Sequence, residues 1–468
     1  MKRFLLQLAF LLLPFFSLAQ DEAPVLEHFV KKAWWITTTF HLNDQVSVIQ
    51  IQTGDVTFDL AAVDDKMQVL WHTQLEGCPV SSGKFGGHIL AITANKYKAG
   101  IDQVVGPFTA VLIDEKTGKE ISRKVIYDSK SNIPEFANCY FNDGSSNFTF
   151  IVWQARESRT MLGYPNVEKL IAINALSVVK LDDNLNPAVS RLTFPDPFVV
   201  NLDCNNKGDV FLVTHPKDSK VVSVARYNSP KYEQLPGIDQ NIDMHSESGI
   251  NYKNFVVTTS DTNRNVLYMA LVHPNANKDK ELTVSKFDFG NHTVNTTSEV
   301  FSKQHVKEIE NAYVPFNKDL KKLDIGPSGL TEKYIKEWNG TLLVVLTESE
   351  SARFVDPING KFSGVSRQDS HIINGYDTNL SPKFQQLMPT YNNGLTFSAH
   401  GRNNSIYIHS GNLFGQLDLS SGRWQKLQKT SKIGSKVMWF TSDFIIPYRG
   451  PSGIRAGVSD VNLQLNNY

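Results

Sequence analysis

The sequence predicts an all-β architecture of many short antiparallel strands joined by tight turns, and three observations carry that reading. Short apolar or alternating runs rich in Val, Ile, Thr, Phe and Tyr dominate the chain. Examples are "QVSVIQIQ" (45–52), "GHILAIT" (87–93), "FTFIVWQ" (148–154), "DVFLVT" (209–214), "NFVVTT" (254–259), "TLLVVLT" (341–347) and "SIYIHS" (405–410). Helical periodicity is scarce, and clusters of Asn, Asp, Gly, Ser and Pro separate the runs, which is strand-and-turn patterning. Finally, 468 residues with 41% hydrophobic content, 28 Phe and 15 Tyr can build a large core and exceed what one ordinary domain needs.

A cadence runs through these strands: an apolar residue, Asp or Asn, a turn, then a new strand. It appears at Asp64 ("AAVDDKMQVLW"), at Asp114 with Gly118 ("VLIDEKTGKEI"), and at Asp182 ("VVKLDDNLNPAV"), where Asn186 takes the place of Gly. It continues at Asn228 ("VARYNSPKYEQL"), Asp288 ("SKFDFGNHTV"), Asp356 with Gly360 ("RFVDPINGKFS"), and Asp418 with Gly422 ("GQLDLSSGRWQ"). An Asp ending one strand can accept hydrogen bonds from the turn backbone. A Gly or Asn four residues on supplies the left-handed conformation that hairpins need. Seven such hairpins at intervals of about 45 to 70 residues mark a repeat architecture. The expectation is a β-propeller of seven four-stranded antiparallel blades, with six to eight inside the range that the uneven spacing allows. Strands covered on both faces by neighbouring blades account for the continuous apolar runs.

The elements follow in order. "MKRFLLQLAFLLLPFFSLAQ" opens with Lys2 and Arg3, continues with an apolar run and ends with Ser17 and Ala19. That is the order of a secretory signal peptide cleaved after residue 19. The apolar run is shorter than the roughly 20 residues that span a bilayer, and Pro14 interrupts it. Residues 20–31 read as an extension and 32–468 as one propeller domain beginning at "AWWITTTFHL" (33–42). The stretch 302–339 breaks the beat and reads as a partly helical insertion: Val306, Ile309 and Tyr313 have helical spacing after a Ser302 cap, and "LTEKYIKEW" is a second helical candidate. "KVMWFTSDFIIPYRG" and "IRAGVSDVNLQL" supply strands that complete the last blade or pair with the first strands to close the ring.

Lys+Arg and Asp+Glu number 47 each, so no electrostatic footprint for nucleic acid is present, and no later run is long and apolar enough to span a membrane. The expected location is outside the cytoplasm: periplasmic, cell-surface or secreted. Of the three cysteines, Cys139 and Cys204 each precede a polar turn and a strong strand, so they are candidates for equivalent positions in consecutive blades and for a disulfide if geometry allows.

The phrase "LIDEKTGKEI", with Trp424 after Gly422 and Trp71 after Asp64, resembles the repeat of quinoprotein-like (PQQ-type) β-propellers. The resemblance implies the fold. It also implies PQQ and calcium bound through an axial set that commonly includes adjacent cysteines, and no adjacent cysteines occur here. No cofactor residue matches, and the resemblance points instead to the scaffold members of that broad group.

Candidate chemistry is thin. His400 and His409, with Arg402 between them, lack a third metal ligand in sequence. Glu348 and Glu350 share one side of a strand and read as a solvated strand end. Asp369, His371 and Asp377 would need to converge in space to form a catalytic set. Lys31 and Lys32 beside Trp34 and Trp35 read as packing at the start of the first blade. No phosphate loop, dinucleotide fingerprint or zinc-protease motif is present. The expected function is a non-enzymatic exported binding or scaffold module for a protein or glycan, with no cofactor, metal or catalytic residue assigned. The alternative is a hydrolase, lyase or cofactor-dependent oxidoreductase on the same fold, with an axial site drawn from several blades.

Overall fold

The computed structural model describes residues 35–54, 56–97, 104–130, 135–142, 147–155, 173–194, 199–215, 220–242, 255–312, 329–355, 362–389, 397–411, 413–430, 437–440, 443–449 and 461–467. These residues are almost entirely β. The strands form eight successive antiparallel units. Unit 1 is β1–β4 (Trp35–His41, Val46–Gly54, Thr57–Asp64, Val69–Glu76). Unit 2 is β5–β8 (Cys78–Phe85, His88–Tyr97, Val104–Asp114, Glu120–Tyr127), and unit 3 is β9–β12 (Glu135–Phe141, Phe148–Ala155, Ile173–Leu181, Pro187–Leu192). Unit 4 is β13–β15 (Val199–Cys204, Val210–Thr214, Val221–Asn228) with a split fourth strand, β16 (Glu233–Gln234) and β17 (Ile238–Asn241), both paired to β15. Unit 5 is β18–β21 (Phe255–Thr259, Val266–Pro274, Lys280–Asp288, Thr293–Phe301). After α1 (Lys303–Ala312) comes unit 6, β22–β25 (Leu330–Trp338, Thr341–Val355, Phe362–Asp377, Pro382–Pro389). Unit 7 is β26–β29 (Phe397–Arg402, Ser405–Ser410, Leu413–Asp418, Trp424–Lys429), and unit 8 is β30–β32 (Met438–Trp439, Asp443–Arg449, Val461–Asn467). Units 2 and 3 join into one sheet through a single pair, Val104 and Glu135.

The continuous apolar runs have a direct cause. Successive side chains on a strand point to opposite faces, and here both faces meet a neighbouring unit. Phe150 packs toward unit 2 beside Leu90 and Leu112, while Ile151 packs toward unit 4 beside Leu212 and Tyr227. Tyr268 faces unit 6 with Leu342 and Tyr376, and Met269 faces unit 4 with Phe211 and Val224. Similar clusters join units 1 and 2 (Leu60, Val111), 6 and 7 (Val345, Ile408), and 7 and 8 (Phe414, Trp439). The first strands lie beside one another around the centre, β1 with β5, β5 with β9, β13 with β18 and β18 with β22, and β30 packs beside β1. The architecture is a β-propeller. Its terminal strands make a unit of their own: among the described residues, β1 pairs only with β2, and β31 only with β30 and β32.

The antiparallel order gives the ring two unlike faces. Turns between first and second and between third and fourth strands lie on one, the hairpin face. Turns between second and third strands, and the links between units, lie on the other, the connection face.

The region after unit 5 departs from its expectation. The Ser302 hydroxyl accepts from the His305 N–H at 3.2 Å and caps α1, whose Val306 and Ile309 join the core between units 5 and 6. "LTEKYIKEW" is not a helix but β22, the first strand of unit 6. Its Glu- and Lys-rich composition looks helical, yet Leu330, Ile335 and Glu337 are buried and a bulge between Glu332 and Tyr334 resets the alternation midway.

Candidate functional site

The predicted turn residues lie on the hairpin face. Asp64, Asp114, Asp288 and Asp418 each end a third strand, and Asp182 directly follows one, β11. Asp114 accepts from the Thr117 N–H (2.8 Å) and hydroxyl (2.7 Å), and Asp418 from the Ser421 N–H and the Ser420 hydroxyl, both at 2.7 Å. The Thr117 bonds hold Asp114 below the usual carboxylate range, and those from Ser420 and Ser421 hold Asp418 down at about 2. In unit 4, Asn228 uses its carbonyl instead, accepting from the Tyr232 N–H at 2.6 Å.

One expectation falls beyond the described residues and another is corrected. Asp356 and Gly360 lie outside the described residues, between β23 and β24; the turn of unit 6 that matches the series is anchored by Asp377, which accepts from the Asn379 and Ser381 N–H groups at 2.8 Å. And the left-handed residue near Asp182 is Leu185 (φ 58°), not Asn186. Met67 (φ 61°) and Leu380 (φ 67°) fill the same place in units 1 and 6, and all three are buried. Burying a Leu or Met side chain gains about 1.5–3 kcal/mol, enough to offset the backbone cost. Gly118 and Gly422 are the glycine versions, at φ 70° and 64°. A Cβ on Gly118 would fall 2.5 Å from Trp71 of unit 1, whose indole N–H donates to the Glu115 carbonyl at 3.0 Å.

The same face holds a buried ionic knot. Asp209 accepts from Arg226 at 2.7 Å, from Arg264 of unit 5 at 2.9 Å, from the Ser229 N–H at 2.9 Å and from Asn205 at 3.0 Å. Burial raises its pKa, but the bonds from Asn205, Arg226, Ser229 and Arg264 outweigh that and hold it below the ordinary range.

Cys139 on β9 and Cys204 on β13 do occupy first strands of consecutive units, but they are free thiols. Burial pushes both upward, Cys204 to about 12, so neither is a thiolate nucleophile near neutrality.

The candidate catalytic residues are spent on contacts between units. His371 is fully buried, with Nδ1 at 2.7 Å from the Thr347 hydroxyl and Nε2 at 2.6 Å from Ser410 of unit 7. Asp377 closes β24 at the hairpin face, where it accepts from its own turn, away from His371 at the connection-face end of the sheet. His400 stacks on Trp439 at 5.7 Å and meets His41 edge-on at 5.5 Å, while His409 sits on the neighbouring strand paired with Ser398. Burial pulls His371 down to about 3, and His400 and His409 to about 4. Glu348 is buried rather than solvated, and Glu350 follows it on β23. Lys31, Lys32 and Trp34 lie outside the described residues. Among the described residues, no three His, Cys, Asp or Glu groups are placed to hold a metal.

The inner ends of the strands on the connection face repeat a motif that the sequence did not announce. His215, just past the second strand β14, packs on Phe255 at the start of the next unit, and His371, on the third strand β24, packs on Phe397 at the start of unit 7. Glu332, re-aimed by the bulge, accepts the Val272 N–H of unit 5. Burial pushes its carboxyl well above the usual range.

A cleft of about 690 Å³ opens toward this face between units 4 and 5. Asp239, Gln240 and Asn241 of β17 form one wall; His273, Glu281, Thr283, Thr296 and Ser298 of unit 5 form the other. The cleft exists because unit 5 presents hydroxyls there: Thr283 is directly opposite Ser298, and Ser285 opposite Thr296. His273 Nδ1 lies 3.3 Å from the Pro274 carbonyl, Nε2 lies 3.0 Å from Thr283 Oγ1, and Thr283 Oγ1 lies 3.1 Å from Ser298 Oγ. Sequence reasoning missed all of these residues. The only signal was hydroxyls at alternate positions in "LTVSK" and "NTTSE".

No protein-family model matches the chain, and no curated protein matches it. Among solved structures it is similar to Saccharomyces cerevisiae Sqt1 (9% identity, TM-score 0.46, 94% of this chain and 96% of that one). It is also similar to BamB from Moraxella catarrhalis (9%, 0.43, 93% and 99%) and to dihydro-heme d1 dehydrogenase NirN in complex with DHE (10%, 0.44, 92% and 75%). Likenesses of this size carry no argument about binding or activity, and the fold rests on strand order and packing between units.

Proposed function

We propose that this chain is an exported propeller that acts as a binding module, holding a protein or glycan partner on its connection face. The asymmetry of the two faces carries this reading. Among the described residues, the hairpin face is closed by short turns whose Asp side chains bond their own backbone. The connection face carries the polar cleft and a two-stranded ribbon: beyond Glu348 and Ser370, β23 and β24 pair from Ser349–Gln368 out to Val355–Phe362, and neither β22 nor β25 accompanies them. Seven such pairs extend about 20 Å beyond the sheet. His371, His400 and His409 are poorly suited to shuttle protons, because burial holds them well below the operating pH and a proton shuttle works best with a pKa near it. Export rests on the charged, apolar and small-residue order of residues 1–19.

Two measurements test the proposal. Mass spectrometry of protein from the producing cells should give a mature chain starting at Gln20; an intact Met1 start refutes export. A photo-crosslinking residue at Asn275 or Ala276 on the connection face should yield a discrete adduct in those cells, and one at Lys116 or Ser421 on the hairpin face should not. Adducts from the hairpin face alone, or from neither face, overturn the binding reading.

A further inference from the structure

We infer that the cleft between units 4 and 5 is a subsite for a neutral sugar chain, a deepening that rests on the binding-module reading above. Its chemistry is one-sided. Among the described residues it is lined by two carboxylates (Asp239, Glu281), amides, hydroxyls and one imidazole, with no Lys or Arg. Such a wall repels anions and is rich in acceptors, which suits a ligand that brings many O–H donors and no charge. Its volume of about 690 Å³ lies within the roughly 300–1,000 Å³ of small-ligand sites.

Two details show polar groups waiting for a partner. The Pro274 carbonyl can only accept, so His273 Nδ1 carries the proton and Nε2 accepts from the Thr283 hydroxyl. The Thr283 oxygen then accepts from the Ser298 O–H, and the relay ends with the Ser298 lone pairs free to accept from outside. Across the cleft Gln240 is only 6% exposed, yet its side-chain oxygen Oε1 has no hydrogen-bond partner. An unpaired buried acceptor costs about 1–3 kcal/mol, which a ligand hydroxyl would recover. Val294, Ile242 and Ala276 supply small apolar surface for the C–H face of a sugar ring.

The test uses the full mature chain and isothermal titration with maltohexaose, cellohexaose, xylohexaose and chitohexaose, with a Lys-rich hexapeptide as the competing cationic ligand. At least one oligosaccharide should bind. Gln240→Leu and Thr283→Val should each weaken it tenfold or more, while Lys116→Ala on the hairpin face leaves it unchanged. Circular dichroism and melting temperature of each variant establish that it is folded, and Ser298→Ala, at an exposed position, serves as a further variant should Thr283→Val misfold. Three results overturn the inference: no oligosaccharide binds, binding is indifferent to the cleft variants, or only the peptide binds. If the connection-face crosslinks still form when no oligosaccharide binds, the sugar subsite fails and the binding-module reading stands.

Discussion

The hairpin face and the connection face are made by opposite ends of the same strands, yet they use polar residues in opposite ways. On the hairpin face each carboxylate closes on its own neighbourhood. Asp114 and Asp418 bond their own turns, and Asp209 gathers four donors from units 4 and 5. In the cleft of the connection face polar groups look outward or across a gap, as Gln240 and Ser298 do. A repeat protein needs one set of ends to fix spacing between units and leaves the other free to differ. Regularity therefore marks the structural face, and irregularity marks the one available for recognition.

That contrast can be broken by substitution. The largest expected effect is Asp209→Ala, which strands the buried Arg226 guanidinium, 4% exposed, and should cost about 3–5 kcal/mol in urea unfolding; a loss below about 1 kcal/mol would deny the knot its role. Gly118→Val places a β-branched residue at φ 70° against Trp71 and should cost about 2–4 kcal/mol. Stability should fall with acid in two windows. His371 has a folded pKa near 3, below the roughly 6.5 of an unfolded histidine, so the unfolded state takes up the proton first and stability drops as pH falls below about 6.5. His371→Gln should reduce the slope between pH 6 and 4 by about 1.4 kcal/mol per unit and leave the slope between pH 7 and 8 alone. Asp209, held low, contributes stability that is present above its unfolded value and lost only as pH falls through its folded pKa. The smallest effect is Thr296→Ala on the connection face, expected within about 0.5 kcal/mol of wild type; a large loss there would erase the distinction between the faces.

The turns were legible because an Asp that caps its own hairpin is a local device. Asp64, Asp114, Asp182, Asp288 and Asp418 could be found with no knowledge of their neighbours. The same rule passed over Asp377 of unit 6 and picked Asp356 with Gly360, which lie outside the described residues. In the Asp377 turn the left-handed residue is Leu380, and what makes it tolerable is burial, a tertiary fact. β22 was misread for a similar reason, since Glu332 and Glu337 bond unit 5 across an interface that no window of sequence contains. The cleft was invisible because it arises where β17, half of a split strand, stands opposite the hydroxyls of another unit. No single segment carries it.

The seam between the last unit and the first has a consequence for how the chain is made. Unit 1 draws its four strands from residues 35–76, and unit 8 its described strands from 438–467. They meet through packing of β30 on β1, with no strand shared between them among the described residues. A ring clasped by a borrowed strand stays incomplete until both ends have emerged from the ribosome. Here the four described strands of the first sheet can finish their hydrogen bonding with one another while the last unit has yet to be synthesised.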